Sequence, residues 1–187
     1  MQQDSSETPD RRQRALDRAV RELERHVARG GWDAPVRVFA LVRTADALLR
    51  DPSLRDQLPP DLVASAEQDA DHVTSVEQEG LPEVDSIEAL LGGLAWPPTV
   101  DGAAIVLERI VVPPEAETNL PEDPDAAVQA LLDHPAREDV RMAAGALRSG
   151  ETACALRTRR HDDDVAVASG PDLVPGLVAA LQATLED

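Results

Sequence analysis

Asp139 to Arg160 reads DVRMAAGALRSGETACALRTRR, two apolar-rich runs joined by a Ser-Gly pair. Small and β-branched residues alternate with arginines on either side of Ser149-Gly150, which is the pattern of a β-hairpin turning on a short Gly-containing loop. A two-residue turn there sets Arg148 opposite Glu151, Gly145 opposite Cys154 and Met142 opposite Arg157. One face of the hairpin then carries Ala144, Ala146, Ala153 and Ala155, small enough for a helix to approach closely. A hairpin of this length needs a sheet to join, and the surrounding segments supply its strands.

Immediately upstream, DGAAIVLERIVVPP (101–114) is apolar and β-branched for about ten residues between an Asp-Gly and a Pro-Pro pair, the plainest strand in the chain. Both its faces are mainly apolar, which places it near the centre of the sheet. Val36 to Val42 reads as another strand, running into a short helix that Thr44 caps and Pro52 stops, with one continuous helix over the same stretch as the alternative. Asp61 to Asp71 reads as a helix, HVTSVEQE (72–79) as a short strand, and Ile87 to Leu94 as a helix capped by Ser86. Glu115 to Pro124 is an acid- and Pro-rich loop before a helix over Asp125 to Asp133. Beyond the hairpin come a strand over Val165 to Ser169 and a closing helix over Pro171 to Leu185.

At the other end, Leu16, Val20, Leu23 and Val27 recur at helical spacing among charged residues, predicting an amphipathic helix from Pro9 to Arg29. Four regular apolar positions make a narrow stripe, suited to docking on the surface of a domain or against another helix. Met1 to Thr8 reads as a disordered tail and residues 9–187 as one domain. The order of elements predicts an α+β fold with a largely antiparallel sheet, the 139–160 hairpin at its centre or edge. A parallel contribution from Val36 to Val42 is left open.

Composition limits what such a domain does. The 187 residues suffice for one core, and with two Trp, one Phe and no Tyr that core is built from Ala, Val and Leu. All 18 basic residues are Arg, against 36 acidic ones, for a net charge of −18. That balance repels nucleic-acid phosphates and anionic membranes, so neither is an expected partner. Cys154 stands alone and cannot form an intrachain disulfide. No apolar run is long enough for a membrane span, and the first residues carry no apolar leader segment, so a cytoplasmic location is expected.

The densest chemistry lies in RTRRHDDDVAVASG (157–170). A His beside three Asp has suitable ligands for a divalent cation. On an extended segment only alternate side chains converge, pairing His161 with Asp163 and Asp162 with Asp164, and the spacing of a calcium loop is absent. The plainer reading is a polar strand end whose aspartates offset Arg157, Arg159 and Arg160. Glu77 on its strand, and Glu108 with Arg109 inside the most apolar strand, are further carboxylates that burial could perturb. Cys154 sits among alanines, a setting that keeps a thiol unreactive. The Gly pairs in ARGGWD and LLGGLAWPP match no phosphate-binding fingerprint and read as helix ends. His26, His72 and His134 are scattered without metal-ligand spacing.

The leading expectation is a non-catalytic protein-binding or adaptor domain, a dimer among its options. It needs no cofactor and no metal, and it meets a protein partner or a second copy of itself. Its candidate ligand or interaction residues are Glu77, Glu108, Arg109, Arg157, Arg159, His161, Asp162 and Asp163. Two alternatives stand beside it: a hydrolase or metal-dependent enzyme using Glu77, Glu108 and His161, and a chaperone-like α+β domain for a protein partner. The runs FALVRTADALL, TSVEQEGLP, WPPTVDGAAIVLERIVVPPEAE and RTRRHDDDVAVASGPDLVPGLVAALQATL resemble a family of uncharacterised actinobacterial cytoplasmic proteins. That resemblance implies a taxonomic home and no catalytic residues.

Overall fold

Helix α1 spans Asp4–Ala28 and crosses one face of the sheet. The structure is a computed structural model that describes residues 4–186, with side chains from Asp10 onward; part of the expected 1–8 tail therefore lies outside the described residues. After α1 come β1 (Arg37–Arg43), α2 (Thr44–Arg50), α3 (Pro60–Gln68), β2 (Val73–Glu77), α4 (Ile87–Gly92) and β3 (Gly102–Val111). Then follow α5 (Pro114–Glu117), α6 (Pro124–Leu132), β4 (Glu138–Leu147), β5 (Thr152–Thr158), β6 (Ala168–Gly170) and α7 (Pro175–Ala183). The strands form one sheet in the order β2-β1-β3-β4-β5-β6, antiparallel at every pairing. The fold is α+β, as expected, with β3 in the interior and β1 contributing no parallel pair.

Period-two alternation splits the sheet residues between two cores. Phe39, Leu41, Ala104, Val106, Ala143, Ala153 and Ala155 face α1, where Leu16, Val20, Leu23 and Val27 are buried. Ala15 and Ala19 widen the apolar stripe of α1, so this helix forms one wall of the core instead of resting on its surface. Its close approach depends on Gly145, where a Cβ would lie 2.7 Å from Val20 Cγ2. On the opposite face, Val38, Ala103, Ile105, Leu107, Ala144, Ala146 and Cys154 pack under α4 and α7.

The hairpin departs from its expected register by one residue. Its loop has three residues, Arg148 to Gly150, because Leu147 N–H donates to Glu151 O and Gly150 sits at φ +106°. A glycine in that conformation closes a three-residue hairpin loop with a bulge. Ala144 therefore opposes Cys154, Gly145 opposes Ala153, and Arg141 opposes Arg157. Shifting by one residue moves side chains between faces, so the alanines that met on one predicted face divide: Ala153 and Ala155 pack under α1, Ala144 and Ala146 under α7. Arg148 leaves the β4–β5 ladder, its guanidinium donating to Val100 O (3.0 Å), Trp96 O (3.0 Å) and Leu185 O.

Three local expectations also change. Thr44 is the first residue of α2 and caps nothing; its buried hydroxyl bonds His72 Nδ1 (2.9 Å) and Thr74 Oγ1 (2.6 Å), tying α2 to β2. The strand expected at Val165 to Ser169 shrinks to β6, since the Asp163 carboxylate accepts from Val165 N–H and turns the chain into one 3₁₀ turn. Helix α7 starts at Pro175, not Pro171, as a proline is compatible only with a helix's first turn.

Candidate functional site

The corrected register creates a row of charges that the sequence reading did not contain. Glu108 on β3 opposes Arg141 on β4, which opposes Arg157 on β5, all on the α1 side of the sheet. Helix α1 lowers Glu24 onto this row. Glu24, Arg141 and Arg157 are 1 %, 0 % and 3 % exposed, so each charge must be matched inside the protein. Arg157 and Glu24 form a bidentate pair, Nε to Oε1 at 2.6 Å and Nη2 to Oε2 at 2.8 Å. Arg157 also donates to Asp162 (3.2 Å) and Asp164 (2.5 Å), which arrive from the loop after β5.

Arg141 is held from other directions. Its Nε and Nη2 donate to Glu108 Oε1 at 3.2 and 2.9 Å, and Nη2 also donates to Gly31 O. Its guanidinium lies 4.3 Å from the centroid of the Trp32 ring, a cation–π contact. Among the described residues Nη1 has no hydrogen-bond partner, and it stands 3.7 Å from Glu24 Oε1. Trp32 Nε1 donates to Asp162 Oδ2 (2.9 Å), and Asp33 N–H donates to Glu108 Oε2 (2.7 Å). Asp33 sits at φ +65°, a conformation Asp tolerates better than most residues, and its carboxylate takes both Arg159 terminal nitrogens at 2.9 Å.

These contacts set the protonation states. The Trp32 indole and the Arg157 guanidinium hold the Asp162 carboxyl below its usual range, and Arg157 does the same for Asp164. Arg159 lowers Asp33. The bidentate bond to Glu24 drives Arg157 further toward its charged form. Each of the three carboxylates around Arg157 accepts at least one N–H of its guanidinium. The cluster fastens α1, the 30–33 loop and the β5–β6 loop onto the end of the sheet.

The residues singled out from sequence distribute as follows. Arg157 and Glu108 are members of the buried row; Asp162 and Arg159 form its outer ring. Asp163 serves the local turn. His161 is exposed and touches Thr158 Oγ1 through Nδ1 at 3.4 Å. Glu77 pairs with Arg37 at 3.2 Å on the β2 edge, two strands from Glu108 and four residues away along the ladder, about 16 Å between Cα atoms. Glu77, Glu108 and His161 therefore do not converge. Among the described residues no group of three or more His, Cys, Asp and Glu side chains is placed to hold a metal ion. Among the described residues no helix is long and apolar enough to cross a membrane. Sequence reasoning missed Glu24, Trp32 and Arg141. Glu24 was detectable: it falls four residues after Val20 and eight after Leu16, on the buried stripe itself.

Besides a small hollow against Glu24, Arg157 and Asp164, two wider ones are formed by the described residues. The larger, about 980 Å³, runs along the outer face of α1, and its arginines are engaged: Arg18 with Asp69, Arg11 with Asp71, Arg21 with Ser169. The smaller, about 570 Å³, lies on the other face of the sheet between the 81–88 segment and β3. Val36, Leu81, Ile87, Leu90 and Leu107 floor it; Glu83, Asp85, Glu88 and Arg109 rim it. Among the described residues those four rim charges make no ion pair.

A family model described as PPA1309-like protein matches residues 16–186. The chain belongs to the PPA1309-like protein family. That match takes in the whole sheet, the buried row from Glu24 to Arg157 and the acid-rimmed groove. No curated protein and no solved structure matches the chain.

Proposed function

We propose that this PPA1309-like chain is a non-catalytic protein-binding or adaptor domain of the cytoplasm. The observation that carries this reading is the acid-rimmed groove over the β3 end, where unpaired carboxylates surround an apolar floor. Binding sites of this kind combine apolar area with a few polar groups that fix orientation. The groove wall includes an exposed apolar residue, Val84 at 43 % exposure, beside the exposed Pro82. The catalytic types, by contrast, are either locked in the buried row or spread across separate strands.

Site-specific photo-crosslinking in native cells tests the reading. Benzoylphenylalanine placed at Val84 or at Pro82 should yield a discrete protein adduct, whereas the same group at Val165, 92 % exposed and away from the groove, should not. No adduct at either groove position, or an equal yield at Val165, would reject a binding role for this surface.

A further inference from the structure

Building on that binding reading, we infer that the groove receives a basic, extended segment of another protein, which adds as a strand to the open edge of β3. Strand β1 begins at Arg37 opposite Val106, while β3 continues to Val111 and pairs there with β4 alone. Among the described residues Leu107 to Val111, a strand edge of five residues and about 17 Å, thus has no ladder partner on the β1 side, where Asp33 N–H reaches only the Glu108 side chain. Asp101 O accepts from Arg148 N–H on the β4 side, so by alternation the amides of Glu108 and Ile110 face the open side. The chain cannot extend β1 to fill this gap as a regular ladder, since Pro35 lacks an amide donor.

An unpaired edge is a template for another chain, and proteins usually shield one with charge, proline or a covering element. Here the edge opens into the groove, and its side chains there are Leu107 and the rim cation Arg109. A strand laid along β3 would direct alternate side chains over the apolar floor, within reach of Glu83, Asp85 and Glu88. Three unpaired carboxylates against one guanidinium favour Arg or Lys at those positions.

A second copy of the chain fits worse. Two β3 edges related by a two-fold axis near Arg109 would place like charges opposite one another, which is destabilising in a sheet pair. They would also bring together two acidic rims on chains of net charge −18 each.

The test uses the full chain and a fluorescein-labelled heptapeptide, Arg-Val-Arg-Val-Arg-Val-Arg, followed by anisotropy at fixed ionic strength. Saturable binding is expected, weakened about tenfold or more by Glu83→Gln/Asp85→Asn/Glu88→Gln. The charge-matched control Asp56→Asn/Asp61→Asn/Asp172→Asn removes three exposed acids that do not line the groove and should stay within about twofold of wild type. N-methylation of the peptide's valines keeps the charge and removes donors needed for strand pairing, and should cost about tenfold or more. Equal weakening by both triple variants would reduce the effect to net charge and overturn the inference. Undiminished binding of the N-methylated peptide would overturn strand addition. A dimer in sedimentation equilibrium that dissociates on Arg109→Glu would assign the edge to a second copy instead. Adducts at Val84 or Pro82 with no peptide binding would reject a basic partner while leaving the binding reading intact.

Discussion

Two regions of this molecule use the same residue types to opposite ends. Under α1, Glu24, Glu108, Asp162 and Asp164 surround Arg141 and Arg157, and each carboxylate holds a fixed donor. Across the sheet, Glu83, Asp85 and Glu88 rim an apolar groove and pair with nothing among the described residues. A dense run of charges marks chemistry only where it stays unmatched. The first region spends its charges on attachment; the second keeps them available.

If the buried row fastens the helix, removing its acid should have the largest effect. Glu24→Ala takes from Arg157 its buried bidentate partner, leaving it only Asp162 and Asp164 at the rim, and removes the carboxylate that faces Arg141 Nη1. Breaking one partner of a buried pair typically costs about 3–5 kcal/mol. Urea unfolding followed by Trp emission measures it, Trp32 being stacked on Arg141.

Next in size is the contact of α1 with the sheet beside that row. Gly145→Ala sets a methyl group against Val20 and Leu16, and overpacking of this kind costs about 1–3 kcal/mol. A Tm unchanged from wild type would mean α1 is less tightly seated than the structure shows.

A smaller effect should appear on acidification. Asp162 and Asp164 have folded-state pKa values below the ordinary 3.8, so their stabilising contribution is complete above that value and is lost as pH falls through the lowered one. The Tm of wild type should therefore drop in this acid range. The Asp162→Asn/Asp164→Asn variant should start lower at neutral pH and show a shallower acid limb. Parallel limbs would separate these carboxylates from the attachment of Arg157.

The element order, the antiparallel sheet and the central place of β3 were legible because long apolar runs and their Pro and Gly punctuation are local signals. The row of charges was not, and the cause is a single residue. Ser149-Gly150 is compatible with a two- or a three-residue loop, and the choice depends on Arg148 finding the carbonyls of Val100, Trp96 and Leu185 from distant segments. In the two-residue register Met142 faces Arg157 and no buried charge row forms. In the observed register Arg141 takes that place, and Glu24, one turn beyond Val20 on the buried stripe, acquires its purpose. The groove was illegible for a related reason: Glu83, Asp85 and Glu88 lie in a loop and the first turn of a helix, and only the pairing of β3 beyond Val106 shows what they border.

The central claim is that carboxylates of one region hold the fold and those of the other do not. Equilibrium urea unfolding of Glu83→Gln/Asp85→Asn/Glu88→Gln, set beside Glu24→Ala, tests it directly. The groove variant is expected to lie within about 0.5 kcal/mol of wild type, as exposed, unpaired charges contribute little. A loss of several kcal/mol, matching that of Glu24→Ala, would contradict the division of labour between the two faces.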